Sequence, residues 1–415
     1  MSLLSLSYGL LVLLTVPVYA LLSARHRSLF LALVSLLFYA WGSLLHAGLI
    51  LGLGAVVFAL GESLHAKRKS ALFAVGVSLC VAVLCYFKYS VLLLRTAADL
   101  LPSGSTPSWL IQHADSLALE LQIPLGISFF TFEFVHYLTD IYQGKIVRPQ
   151  PLPPLRKRLV DFFLFALFFP TLLAGPIKRY QQFSPDTTES RQAQIAQGLW
   201  RILIGLLKKV LIADSLATLT LRLKAPELVT PLGLWMAMYA YAGQIYADFS
   251  GYSDVAIGVS LLLGYRIPEN FNYPYVAHSL QDFWRRWHIS LSSWIRDYLF
   301  IPLGGSHVPP WRATGNLLLV MALCGLWHGP AGHFVVWGLW HGLGLGLERL
   351  FRKLRTRSNP NDQPAKTEPE KESRLASFLG WLWTFHFVCI GWILFAAPSL
   401  KAALIALARM FFLSR

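Results

Sequence analysis

The sequence predicts an all-α polytopic membrane protein, and three observations predict it. Hydrophobic residues make up 55% of the 415-residue chain, charged residues only 14%, and the mean hydropathy is +0.52. A soluble protein carries roughly 25% charged residues. Apolar stretches, several near the roughly 18 residues that cross a hydrocarbon core of about 30 Å, follow one another with little between. They cover residues 3–22, 29–39, 46–60, 71–94, 117–141 and 162–174. The third observation is where the charge falls, between those stretches rather than inside them.

The first stretch has no basic start and no clear small-residue cleavage site, so it reads as a retained span rather than a signal peptide. The net charge of +15 would suit a nucleic-acid binder if it were clustered on one surface. It is instead divided among Arg25 and Arg27, Lys67 to Lys69, residues 145–158 (KIVRPQPLPPLRKR) and Arg352 to Arg357. Such clusters mark cytoplasmic loops. Alternation of sides then places the N-terminus outside, along with the 95–116 segment, read as a loop. The expected partners are membrane lipid and no nucleic acid. The four cysteines, Cys80, Cys85, Cys324 and Cys389, lie in apolar segments and read as small buried hydrophobes, not disulfides.

No soluble domain boundary and no internal repeat is visible. The chain reads as one integral membrane domain over residues 1–415, interrupted by a polar, proline-containing segment at 358–373 that predicts a flexible cytoplasmic loop.

Residues 282–300 (DFWRRWHISLSSWIRDYLF) alternate at helical spacing. Phe283, Trp287, Leu291, Trp294 and Tyr298 form one stripe, and Gln281, Arg285, His288, Ser292 and Arg296 the opposite one. Such a helix lies at an interface or lines a wet cavity. The bland alternative is an amphipathic anchor whose arginines meet headgroups, with His288 incidental.

The stretch 324–333 (CGLWHGPAGH) interrupts a run of membrane character. Residues 317–327 amount to about 16 Å of helix, roughly half the core. Gly329, Pro330 and Gly332 then stop it, with His328 near mid-depth. Irregular backbone there is tolerated only against protein or a water-filled cavity, and ionisable groups there are costly and usually functional. The competing reading is an ordinary hairpin with His328 satisfied near the surface.

Other polar groups read first as structural. Asp248 and Tyr252 share one face of a helix and Ser250 and Asp254 another, so the two carboxylates do not pair. Glu133, His136 and Asp140 share a face, which predicts a buried network. No HExxH, Cys/His metal pattern, G-x-S-x-G elbow or Walker loop is present. His328 and His333, five apart across the break, make a poor metal pair, so no metal is expected. His26, His65, His113 and His307 read as loop residues. His46, His278, His341 and His386 carry no nameable chemistry.

Several segments together resemble the bacterial membrane-bound O-acyltransferases, over residues 30–400. They are FFPTLLAGPIKRYQQF (168–183), GLLKKVLIADSLA (205–217), YADFSGYSDVAIG (246–258), RIPENFNYPY (266–275), DFWRRWHISLSSWIRDYLFIPLGG (282–305) and GLWHG (325–329), with PLGISFFTFEFVHYLTDIYQG (124–144). The nearest group is the alginate O-acetyltransferase type. TFHFVCIGWILF (384–395) instead resembles the D-alanyl transfer proteins of teichoic acid synthesis, and the chain stops earlier than alginate-type proteins often do. The resemblance implies roughly 10–12 transmembrane helices, with tilted or re-entrant short helices around a central funnel.

It also implies that His328 and His288 match the family's two histidine motifs. The implied activity moves a small acyl group, acetyl in the first instance, from a cytoplasmic thioester to a hydroxyl beyond the membrane. The donor would be acetyl-CoA or an acyl carrier protein, with no bound cofactor. The acceptor would be an extracytoplasmic polysaccharide or a partner protein that modifies it, and the location the bacterial inner membrane. D-alanyl transfer to teichoic acid is the alternative.

With an ordinary pKa near 6.5, His328 is the expected general base, and His288 would orient the acceptor or stabilise the oxyanion. Arg285, Arg286, Asp282, Trp327 and Ser292 are expected at the donor and substrate site, the arginines attracting phosphates. Two rivals belong to other classes. Broken helices also mark secondary transporters, but one break and no repeat argue against that. A non-catalytic scaffold would leave both histidines dispensable.

Overall fold

The computed structural model describes residues 5–101, 107–173, 175–358 and 374–411. Among them the structure is helical, with no strand beyond an isolated bridge between Pro185 and Tyr265. Residues 359–373, expected as a flexible loop, lie outside the described residues. The chain forms two compact units, one of Met1–Leu206 with Tyr252–Pro268, the other of Leu207–Gly251 with Glu269–Arg415.

The first unit holds α1 (Leu6–Leu21), α2 (Ala24–Gly42), α3 (Leu44–Ala66), α4 (Ser70–Leu100), α5 (Ser108–Glu120), α6 (Ile127–Tyr142), α7 (Leu155–Leu167) and α8 (Arg191–Leu207). The two serines that begin α1 and α3 cap them, Ser5 accepting from the Tyr8 N–H and Ser43 from the His46 N–H, as short hydroxyl side chains do at helix starts. α3 and α4 are long and apolar enough to cross a membrane. Leu13, Leu14 and Leu37 face outward on α1 and α2. That is a cost in water and none in lipid.

Three sequence expectations are corrected here. Residues 117–141 are not one span: α5 ends at Glu120, and the chain turns through Gly126, whose φ of 72° a side-chain-bearing residue rarely adopts. Residues 162–174 are not one helix either. α7 stops at Leu167, and the next residues turn at Pro170 while Phe168 and Phe169 stay fully buried. The apolar run there reflects core, not span. The 95–116 loop is largely helix, since α4 runs to Leu100 and α5 begins at Ser108. His26, His65 and His113 accordingly sit in α2, α3 and α5, not loops.

The expected network on α6 forms. Glu133 meets the Lys178 ammonium at 2.5 Å, both buried. His136 Nε2 accepts the Tyr180 N–H at 3.0 Å, and Nδ1 donates to the Phe132 carbonyl at 3.3 Å. Asp140 takes Gln181 at 2.8 Å and Lys145 at 3.6 Å. The GPIKRYQQ segment (175–182) is therefore a strap tied to α6. Glu62 at the end of α3 receives both Arg148, at 2.9 Å, and Arg158, which ties both ends of the basic 145–158 segment to that helix. Arg201 meets Asp254 at 2.8 Å.

The second unit holds α9 (Asp214–Thr220), the first part of α10 (Pro231–Leu262), α11 (Leu280–Arg286), α12 (Ile289–Ile295), α13 (Pro310–His328), α14 (Gly332–Ser358), α15 (Arg374–Ala396) and α16 (Leu400–Phe411). α15 is a third helix long and apolar enough to span. Lys209, in a π-helical turn, bridges Asp214 at 2.7 Å and Asp248 at 2.8 Å. The two carboxylates of the α10 motif thus take separate cations, as their spacing predicts.

α13 and α14 form a hairpin in backbone contact. A Cβ on Gly338 would sit 2.0 Å from the Met321 carbonyl oxygen, and one on Gly325 2.0 Å from that of Phe334. Small residues at such crossings let helices meet where lipid supplies no hydrophobic drive. α13 is longer than read. It begins at Pro310, because a proline in the first turn loses no hydrogen bond, and its 19 residues make about 28 Å. The half-length helix is therefore corrected: residues 310–316 continue it despite their polarity. His328 is its last residue, as the Gly-Pro pair predicts.

Candidate active site

The predicted single helix at 282–300 is interrupted at the histidine. α11 ends at Arg286, His288 has the left-handed backbone φ 44°, ψ 53°, and α12 starts at Ile289. The apolar stripe is nonetheless buried throughout, from Phe283 and Leu291, each 1% exposed, to Tyr298 at 9%. The opposite stripe is broken, because His288 is 2% exposed and turned into the protein.

An interrupted helix leaves orphan backbone groups, and the loop at 270–272 takes them. The Asn270 carbonyl accepts the Ile289 N–H at 2.9 Å, and the Asn272 N–H reaches the Arg286 carbonyl at 3.0 Å. The Asn270 side-chain oxygen lies 3.3 Å from the Ser290 N–H, 2.8 Å from the Ser290 hydroxyl and 3.1 Å from His288 Nδ1. Asn270 is fully buried. His288 Nε2 is buried too, and no hydrogen-bond partner reaches it among the described residues.

His328 stands at the end of α13 in an aromatic surround. Its ring is 4.7 Å from Trp327, 5.2 Å from Trp337 and 5.0 Å from Phe395, centroid to centroid. Trp327 also lies 6.3 Å from His288, so one indole flanks both imidazoles. Phe249 closes on His288 from α10 at 4.7 Å. The two histidines, 40 positions apart in sequence, are brought to one place.

A pocket of about 410 Å³ approaches them. Arg285, Ser292, Ser293, Arg296, Trp284 and Cys324 are among its lining, which includes Ile289, next to His288, and Cys324, one turn before His328. No carboxylate lines it among the described residues. A second pocket of about 490 Å³ shares Gln281, Phe300, Leu317 and Leu345 with the first and adds Ser306, Glu348, Arg349 and Arg352. Arg352 is held by Glu348 at 2.7 Å, and the other Glu348 oxygen caps α11 at the Leu280 N–H, 2.8 Å away.

Of the residues singled out from sequence, His288, His328 and Trp327 come together, and Arg285 and Ser292 line the pocket. Asp282 and Arg286 do not line it. They pair with each other at 2.9 Å along one helix turn. Sequence reasoning missed Asn270 and the arginines at 349 and 352. Glu348, Arg349 and Arg352 share a helix face at steps of three and four, a signal that was readable. Asn270 lies in the quoted RIPENFNYPY segment, but spacing gave it no role, because its partners lie 18 and 20 residues away. His333 Nδ1 is taken by the Leu394 carbonyl at 3.0 Å.

The chain belongs to the membrane-bound O-acyltransferase (MBOAT) family, whose model matches residues 155–395. It is 37% identical over 394 residues to the "Probable alginate O-acetylase AlgI" of Pseudomonas aeruginosa, covering 93% of this chain and 70% of that protein. It is similar to the "Peptidoglycan O-acetyltransferase" of Helicobacter pylori, at 34% over 403 residues, 91% of this chain and 72% of that one. It is also similar to the "Teichoic acid D-alanyltransferase" of Bacillus subtilis, at 34% over 285 residues, 66% of this chain and 68% of that one. The protein is thus an enzyme that transfers acyl groups, and a membrane protein.

Proposed function

We propose that this enzyme takes an acetyl group from a cytoplasmic thioester and passes it to a hydroxyl at or beyond the outer face of a bacterial inner membrane. The acceptor is an envelope polysaccharide or a partner protein that modifies one. The N-terminus lies outside, following the basic segments. Relatives that acetylate and relatives that transfer D-alanine both match, so the choice of acyl group needs a physical argument.

The pocket lining supplies it. A D-alanyl thioester carries an ammonium group, and burying an unpaired cation is costly. The pocket is lined by Arg285 and by Arg296, which pairs with Asp297 at 2.8 Å, and by no carboxylate among the described residues. That lining offers an ammonium no partner, whereas a neutral acetyl thioester needs none. The same arginines, with Arg349 and Arg352 beyond them, suit the phosphates of a donor such as acetyl-CoA or a phosphopantetheine arm.

In the proposed reaction the acceptor oxygen attacks the thioester carbonyl while His328 takes its proton. The tetrahedral intermediate collapses, the carbon–sulfur bond breaks, and the leaving thiolate recovers the proton from His328. An ester and a free thiol result. His288 orients the acceptor or meets the oxyanion. The donor stays on its own side and only the acyl group crosses.

The test is reconstitution in vesicles with labelled acetyl-CoA and, separately, with a D-alanyl carrier protein. Transfer from the acetyl donor alone supports the reading, and transfer from the D-alanyl carrier alone overturns it.

A further inference from the structure

We infer that Asn270 is a positioning residue that fixes the tautomer of His288, leaving Nε2 as a hydrogen-bond acceptor aimed at the acceptor substrate. The inference rests on the two-histidine reading above and adds a residue and a direction to it.

The argument begins with Ser290. Its backbone N–H can only donate, so the Asn270 atom that faces it at 3.3 Å is the carbonyl oxygen, not the amide nitrogen. The Ser290 hydroxyl, 2.8 Å away, donates to the same oxygen. An oxygen has no proton to give, so the His288 Nδ1 that approaches it at 3.1 Å must be the one that carries hydrogen. In the neutral imidazole the second nitrogen then bears a lone pair. That nitrogen is Nε2, buried and unmet by any protein donor among the described residues.

A buried acceptor left open is rare, and each instance calls for an explanation. Here the neighbours are aromatic: Phe249 stands edge-on at 4.7 Å and Trp327 at 6.3 Å. Asn270 holds the ring at Nδ1, as a third group orients an imidazole whose other nitrogen does the work. Of the two roles open to His288, the tautomer selects one. A neutral Nε2 cannot donate to an oxyanion, but it accepts a hydrogen from the acceptor substrate at a hydroxyl other than the attacking one, whose proton goes to His328. The ligand class follows: a hydroxyl-bearing acceptor, not the acyl oxygen, occupies the Nε2 side.

The experiment uses the full-length protein in lipid nanodiscs. Nitrogen NMR of histidine-labelled enzyme, with His288→Gln to assign the signal, reads which ring nitrogen is protonated. Kinetics are measured on Asn270→Leu, Asn270→Asp and Ser290→Ala. Nδ1 protonation is expected in the parent. Asn270→Leu is expected to lose about 10²-fold in kcat with an unchanged KM for the acyl donor, the cost of an acceptor that is bound but misplaced. Asn270→Asp keeps an acceptor oxygen and stays within about tenfold. Ser290→Ala, which removes a neighbour of the same oxygen but not the histidine bond, stays near the parent.

Nε2 protonation in the parent overturns the inference whether or not any variant folds. So does an Asp variant that folds yet falls as far as the Leu variant. A parent with the expected tautomer and no acyl transfer would overturn the functional reading and spare the tautomer.

Discussion

Two buried histidines in this protein use their nitrogens differently. His136, in the first unit, spends both: Nδ1 on the Phe132 carbonyl and Nε2 on the Tyr180 N–H. Beside it Glu133 and Lys178 neutralise each other. His288, in the second unit, spends only Nδ1 and leaves Nε2 open. Both are fully or almost fully buried, at 0% and 2% exposure, so burial does not separate them. Saturation does. A histidine with both nitrogens satisfied holds chain to chain, whereas one clamped on one side only has a lone pair to use. The Glu133 region is a brace by that criterion, and the Asn270 region fits the site proposed above.

The comparison can be broken by mutation. His328→Ala is expected to lower kcat by up to about 10⁴-fold, the upper end for general base catalysis, in reconstituted vesicles with melting unchanged. Normal turnover in that variant would remove the base assignment. Lys178→Ala leaves the Glu133 charge buried without its partner, a change that costs about 3–5 kcal/mol. It is expected to lower the melting temperature in detergent while the folded fraction keeps its kcat. A Lys178→Met, Glu133→Leu double variant should recover most of that stability. If the Lys178 variant melted normally but lost turnover, the brace would have to be reread as part of the site.

A smaller loss is expected for His288→Ala, about 10²-fold in kcat. A larger loss than that of His328→Ala would exchange the two roles. Smallest is Arg285→Ala, expected to raise the KM for the phosphate-bearing donor about tenfold with kcat retained, the signature of a group that binds ground and transition states alike. A fall in kcat at constant KM would place Arg285 at the reacting atoms instead.

Much of this was legible in the sequence, and the misses have physical causes. Apolar runs located most helices, because lipid demands them. They failed at 168–173, where apolar residues fill a buried turn, and at 310–316, where polar residues continue a helix. The spacing rule found the Glu133, His136 and Asp140 face, but the partners Lys178 and Tyr180 come from a strap some 40 residues away. His288 and His328 stood out through their motifs. The break at His288 did not, since the stripe from Phe283 to Tyr298 stays buried across it. Asn270 fell within the RIPENFNYPY segment of the family resemblance, but its role exists only once the loop lies against the break.

The backbone at His288 has one more consequence. At φ 44° a residue with a side chain holds a conformation that costs about 1–2 kcal/mol, a cost glycine does not bear. His288→Gly is therefore expected to lose turnover as His288→Ala does, yet to melt higher than the alanine variant. The enzyme keeps a local tension in its fold at this residue, one that glycine relieves only by giving up the imidazole.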